Sequence, residues 1–290
     1  MNDAVKIVEC PRDAWQGLPG QIAPEVKADY LRMLIAAGFT HIDAVSFVST
    51  AAVPQMADSE RVLELLGPRK DTEIIAIVVN ERGAERAIRT GSISTLGFPY
   101  SNSPEFLRRN QHQTTDESLT ELRAVMLRAG DAGLDLVVYL SMAFGNPYGE
   151  AWSIGKVLDA CDQLADCGVG QISLADTVGL ADPGQIAETI AAVIAAHRGI
   201  EIGAHLHVRR HGAADHLRAA YDAGCRRFDS AIGGLGGCPF AQDALVGNLP
   251  TEVLLAVLPD RGAELPKLGS LRELISKNAE IAASHGAAVN

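Results

Sequence analysis

No apolar stretch in this 290-residue chain approaches the ~18 residues that a membrane-spanning helix needs. Nor is there a Lys/Arg run: 25 basic against 36 acidic residues leave a formal charge of −11. Phosphate neutralisation needs clustered cations, so a general nucleic-acid binder is excluded. Cysteine is scarce and odd in number, with five residues at 10, 161, 167, 225 and 238 and no paired CxxC of a zinc ribbon. Free thiols in a reducing cytoplasm are the expectation. Met1-Asn2-Asp3-Ala4 opens neither a signal h-region nor an Arg/Ser-rich transit peptide. Low-complexity linkers, heptad runs and short repeats are missing too. What remains is 47% hydrophobic and 21% charged, the balance of a globular chain with a full core and not of a disordered one. The length suits one large α/β domain or two small ones.

Short β-branched runs alternate with amphipathic stretches along the whole chain. Strands are predicted over residues 5–10, 40–47, 72–79, 92–98, 135–144, 170–176, 201–207 and 226–232. Helical spacing falls between them at 25–37, 58–66, 82–90, 115–130, 152–167, 183–197 and 212–223, and a helical pair near 250–257 and 268–284 ends the chain. Gly91, Gly133, Gly168 and Gly224 stand where several of these helices should stop. An open doubly wound sheet shares this local alternation. Eight evenly spaced units without a domain break favour a single (β/α)8 TIM barrel, with a catalytic barrel over about 5–258 and a C-terminal extension of one or two helices over 259–290.

In such a barrel the chemistry lies where strands run into βα loops. Strand 1 delivers Glu9-Cys10-Pro11-Arg12-Asp13, strand 2 Asp43 and Ser46, strand 5 Phe144-Gly145-Asn146-Pro147, and strand 6 Asp176-Thr177. Strand 7 ends in His205-Leu206-His207, and strand 8 is followed by Gly233-Gly234-Leu235-Gly236-Gly237-Cys238-Pro239, with Asn248 ten residues past the cysteine. Residues i and i+2 of a strand share a face, so His205 and His207 can share one metal, or simply line a wet cavity. A carboxylate from Asp13 and an amide oxygen from Asn248 would make a mixed O/N set suited to Mg²⁺ or Mn²⁺. Arg12 beside Asp13 reads either as a fixed cation facing an oxygen that gains charge or as a surface ion pair. Four glycines in five residues before Cys238 allow close approach to a ligand or a moving loop; the thiol is either a proton shuttle or a small buried residue.

Taken together, these segments resemble the 3-hydroxy-3-methylglutaryl-CoA (HMG-CoA) lyase family, among the divalent-metal-dependent carbon–carbon lyases on TIM barrels. The resemblance is carried by residues 5–16 (VKIVECPRDAWQ), by Ser46-Phe47-Val48-Ser49 with Val53-Pro54-Gln55-Met56, and by Ser173 to Gly179. His205-Leu206-His207, Gly234 to Gln242, Gly247-Asn248-Leu249 and Thr251-Glu252 continue it in the same order. It implies that Asp13, His205, His207 and Asn248 hold a divalent cation, Mg²⁺ or Mn²⁺. Arg12 would stabilise a thioester enolate, Cys238 would be the mobile acid/base, and Asp176 would lie beside the substrate hydroxyl. His205 would also assist proton transfer, and Asp43 would stand in for the family's glutamate. Gln16, Ser46 and Thr177 would line the substrate pocket. The implied substrate is a 3-hydroxy-3-substituted acyl-CoA thioester with a second carboxylate, split to acetyl-CoA and a keto acid, and the implied assembly is a homodimer.

Departures from that pattern cluster in the loops. Val208-Arg209-Arg210-His211 replaces the usual Asp-Thr-Tyr after the histidine pair, Trp15 stands where leucine is usual, and Asn146 replaces cysteine after strand 5. These positions would reshape the substrate pocket, or be drift. Arg209 and Arg210 could clamp a carboxylate or phosphate, or be solvated. Two other functions stay open: a Claisen-type acyl-CoA condensing enzyme, which usually carries a further C-terminal domain, and a non-catalytic acyl-CoA-binding barrel.

Overall fold

The structure, a computed structural model, describes residues 3–236 and 246–286. Eight strands form its centre: β1 (Lys6–Glu9), β2 (His41–Ser46), β3 (Glu73–Ile77), β4 (Thr95–Ser101), β5 (Asp135–Ser141), β6 (Gln171–Asp176), β7 (Glu201–Val208) and β8 (Arg227–Ser230). Each pairs in parallel with its sequence neighbours, and β1 with β8 closes the ring. The predicted barrel is therefore the fold, and all eight predicted strands are present. Parallel strands buried on both faces need nearly continuous apolar runs, which is how these segments read. A two-residue strand, β9 (Gly247–Asn248), pairs antiparallel with the end of β7.

The helices are α1 (Pro11–Gln16), α2 (Pro24–Ala36), α3 (Ser59–Leu66), α4 (Glu81–Arg89), α5 (Pro104–Asn110), α6 (Thr115–Ala132), α7 (Ile154–Asp166), α8 (Pro183–Ala196), α9 (Ala213–Asp222), α10 (Thr251–Val257) and α11 (Arg272–Ser284). The four glycines expected to stop helices all take positive φ. Of the final pair, α10 packs beside α9 in the outer layer, and α11 is the extra C-terminal helix, set against α2 and the turn after β8. Two helices were not expected. Both α1 and α5 have proline in the first turn, which fixes φ where no N–H is needed, but at six and seven residues they are too short to show a 3.6 period. Among the described residues no helix is long and apolar enough to cross a membrane.

The main core lies between strands and helices. A smaller one fills the barrel itself, from Val8, Cys10, Ile75, Ile77, Val137 and Tyr139. Below it, at the N-terminal end, charged groups form a layer: Lys6 meets Glu73 at 3.4 Å and Glu201 at 3.3 Å, and Arg227 meets Glu201 at 3.0 Å. That layer leaves the C-terminal mouth to the chemistry.

Candidate active site

Helix α1 begins directly at the end of β1, so its first turn hangs over the barrel mouth. Arg12 and Asp13 are both buried there. Arg12 Nε donates to Asp43 Oδ1 at 3.0 Å, and its Nη2 pairs with Asp43 Oδ2. Its Nη1 donates to Asp13 Oδ1 and to Gln16 Oε1, each at 3.0 Å, and Gln16 Nε2 donates to Asp13 Oδ1 at 2.7 Å. Asp43 reaches inward from β2 beside a register shift between Asp43 and Val45, the kind of bulge that re-aims a side chain. Burial works against the Arg12 charge, but Asp43 and Asp13 outweigh it and hold the guanidinium firmly protonated. Burial also opposes ionisation of Asp13, yet Arg12 and His207 keep its carboxyl far below the usual range. For Asp43, burial prevails over Arg12 and pushes the carboxyl up.

Opposite this pair, β7 presents His205 and His207 on one face. Their Nε2 atoms lie 3.2 Å apart, and His207 Nε2 is 3.6 Å from Asp13 Oδ2. One ligand atom each from Asp13, His205 and His207 falls within 4.8 Å of the other two, and all three residues are buried. His207 Nδ1 lies 2.8 Å from the Thr177 carbonyl oxygen, which can only accept, so the ring proton belongs on Nδ1 and the Nε2 lone pair faces His205 and Asp13. Two ligand atoms bound at right angles to one ion at ~2.1 Å stand about 3.0 Å apart, which the imidazole pair nearly matches. The chemistry of the donor set therefore fits a divalent cation. Asn248 is paired in register with His207, and its Nδ2 donates to Asp13 Oδ2 at 2.8 Å and to the Leu235 carbonyl at 2.9 Å. As a ligand it would offer its Oδ1.

Other expected residues are placed as follows. Asp176 ends β6 with both carboxylate oxygens accepting backbone N–H groups, from Leu180 and Ala181 at 3.0 Å each, so it ties down its own loop. Thr177 Oγ1 accepts from the Met142 N–H at 2.9 Å while its carbonyl orients His207. Ser46 is buried at the end of β2, with its backbone bound to the Ser59 hydroxyl. Arg209 and Arg210 follow β7 and are exposed. Cys238 lies outside the described residues. One expectation about the pocket is corrected, that for Trp15. Trp15 is not part of the pocket: it is fully buried in the core, edge-on to Tyr30, and its Nε1 donates to Asn278 Oδ1 of α11 at 3.2 Å. Asn146 closes a turn within its own loop, bonding the backbone of Tyr148 and Glu150.

Sequence reasoning missed two buried carboxylates. Glu9 Oε1 accepts the Ile232 N–H at 2.8 Å and Oε2 accepts the Thr251 hydroxyl at 2.6 Å, joining β1 to the chain on both sides of the Gly-rich segment. Burial pushes its pKa up to about 8. Asp229, on β8, stands behind His205 with its Oδ2 3.5 Å from the ring Nδ1. Glu9 stands in the strand-1 segment singled out in the sequence but without a role of its own there, and Asp229, between Phe228 and Ser230 of β8, is marked by no local motif.

The chain is similar to known proteins in sequence and in fold. The family model described as HMGL-like matches residues 4–276. The (R)-citramalyl-CoA lyase of Chloroflexus aurantiacus is 33% identical, over 98% of this chain and 92% of its own. The crystal structure of the Bacillus subtilis HMG-CoA lyase superposes with a TM-score of 0.90 at 32% identity, over 99% of this chain and 96% of that one. An HMG-CoA lyase from Acinetobacter baumannii, in complex with coenzyme A and 3-methylmalate, gives a TM-score of 0.86 at 29% identity, over 97% and 91% of the two chains.

Proposed function

The chain belongs to the HMGL-like family, and from that premise we propose that it is a divalent-metal-dependent carbon–carbon lyase, taking a 3-hydroxy-3-substituted acyl-CoA with a second carboxylate to acetyl-CoA and a keto acid. The observation that carries the reading is the sharing of Asp13: one oxygen faces the fixed cation Arg12 and the other faces His207. A cation bound by Asp13, His205, His207 and the Asn248 oxygen would lower the pKa of a chelated substrate hydroxyl. Cys238, as the mobile acid/base, would take that hydroxyl proton on its thiolate, with His205 assisting as a ligand of the cation, and C–O⁻ becomes a carbonyl as the C2–C3 bond breaks. The bond's electron pair passes to the thioester as an enolate. Arg12 is already oriented by Asp43 before substrate arrives, and the one Nη2 N–H that Asp43, Asp13 and Gln16 leave over would meet the developing enolate charge. Cys238 then protonates the enolate carbon, completing acetyl-CoA.

Mg²⁺ or Mn²⁺ is the proposed ion, and a cytoplasmic homodimer the proposed setting. Two acyl groups come first: the 3-hydroxy-3-methylglutaryl and the citramalyl thioesters, named by the similarity to enzymes acting on each. Arg209 and Arg210, exposed at the end of the histidine strand, are the proposed contacts for an anionic group of the substrate. The test is a screen of 3-hydroxy-3-substituted dicarboxylic acyl-CoA thioesters with Mg²⁺ or Mn²⁺, assayed for acetyl-CoA. One thioester should be cleaved far better than the rest, and Arg209→Ala/Arg210→Ala should raise KM for it. Efficient cleavage of the 3-methylglutaryl thioester by a double variant that behaves as wild type would remove the two arginines from the substrate contacts.

A further inference from the structure

The two histidines of the trio have different kinds of group behind them. Behind His207 stands a neutral main-chain carbonyl, that of Thr177. Behind His205 stands a carboxylate. Asp229 lies beside it in register on the adjacent strand, its side chain wholly buried, with Oδ2 facing the ring Nδ1 at 3.5 Å. Asp229 is itself built in. The Ser173 hydroxyl, from β6, donates to Oδ2 at 2.5 Å, and Arg227 Nε lies 3.7 Å from Oδ1. Arg227 is buried too, and reaches along the neighbouring strands to donate to Glu201 Oε1 of β7 at 3.0 Å and Gln171 Oε1 of β6 at 2.7 Å. Its stem passes over Gly203, where a Cβ would sit 2.8 Å from Arg227 Cδ; glycine at that point of β7 leaves the path open. Three strands thus commit a serine, an arginine and a glycine to placing one carboxylate behind one imidazole.

We propose that Asp229 is the positioning residue for His205: anchored by Arg227 and aimed by Ser173, it keeps the ring proton on Nδ1 and turns the Nε2 lone pair towards Asp13 and His207. The proposal rests on reading the trio as a cation site, and it goes beyond the reaction, since it concerns how the site is made ready before substrate binds.

Two measurements on substrate-free protein test it. In metal-free protein labelled with ¹⁵N-histidine, the His205 shifts should report the Nδ1–H tautomer. Asp229→Asn should move that ratio while leaving His207 unchanged. Calorimetric Mn²⁺ affinity of the same variant should fall about 10–100-fold, as when an outer partner of a metal-binding histidine is removed. Should Asp229→Asn fail to fold, Ser173→Ala keeps every charge and removes one restraint; the loss of that single bond should weaken Mn²⁺ binding about 2–10-fold. A folded variant with the wild-type tautomer and wild-type Mn²⁺ affinity overturns the proposal, as does a wild-type chain that binds no Mn²⁺. A chain that binds Mn²⁺, responds to Asp229→Asn as described and cleaves no thioester defeats the lyase reading alone.

Discussion

Arg12 touches two carboxylates and a glutamine, so its replacement separates chemistry from scaffolding. Arg12→Met should lower kcat by about 10²–10³-fold, the usual effect of removing one preorganised donor to a developing oxyanion. Mn²⁺ affinity should change far less, because His205 and His207 are untouched and do not contact it. An equal loss of metal binding and turnover would make Arg12 a brace for Asp13 instead. Glu9 offers a pH test. Its folded pKa, about 8, lies above the ordinary 4.5. Between those values the folded chain keeps a proton that the unfolded chain has released. The Glu9 contribution to stability is therefore complete below about pH 4.5, shrinks as the pH rises and is gone above about 8. Glu9→Gln should flatten this part of the profile, so that its Tm relative to wild type climbs from pH 5 to pH 8.5; a constant difference would contradict the assignment. At this scale the sequence showed Arg12, Asp13 and the His pair, since each sits within a few residues of its partner. It could not show Glu9 against Ile232, 223 residues away, or Asp229 behind His205, because those contacts exist only once the barrel closes.

Elements were legible where they were long enough to repeat. All eight strands were, and most of the helices, because buried β-branched runs and 3.6-residue spacing each persist over several residues. The short helix α1 was not, and that is why Trp15 was placed wrongly. Read as a loop, residues 11–17 could all face the substrate; wound as a helix, Arg12 and Gln16 share one face and Trp15 turns away into the core. From there Trp15 meets Asn278, whose Nδ2 donates to the Ile232 carbonyl at 2.7 Å, so α11 holds the turn after β8 from beneath. The same turn leads to Gly236, which has φ +91° and lies so close to α1 that a Cβ would come within 2.6 Å of Ala14 Cα and 2.8 Å of the Asp13 carbonyl. Gly236→Ala should therefore push apart the segments bearing Asp13 and Asn248 and weaken Mn²⁺ binding in a protein that still shows the wild-type far-UV circular dichroism. Unchanged Mn²⁺ affinity would mean that this approach does not set the site.

Across the whole molecule, closure of the barrel is what makes a site of residues at 12, 13, 43, 205, 207 and 248. The count of βα units announced the barrel, and the order of motifs announced the family, whose model covers residues 4–276. The acyl group was not legible: the loop proposed to meet it, carrying Arg209 and Arg210, is exposed, and no periodicity or packing restricts the residue there. The central claim is metal-dependent carbon–carbon cleavage at this mouth. Its most direct test is acetyl-CoA formation from the preferred thioester by protein stripped with a chelator, then by the same protein reloaded with Mn²⁺, beside an Asp13→Ala/His207→Ala variant. Stripped protein should be inactive, reloaded protein should release acetyl-CoA and keto acid in equal amounts, and the variant should stay inactive at any Mn²⁺ concentration. Equal acetyl-CoA release from stripped and reloaded wild type, or from the variant, would contradict the account.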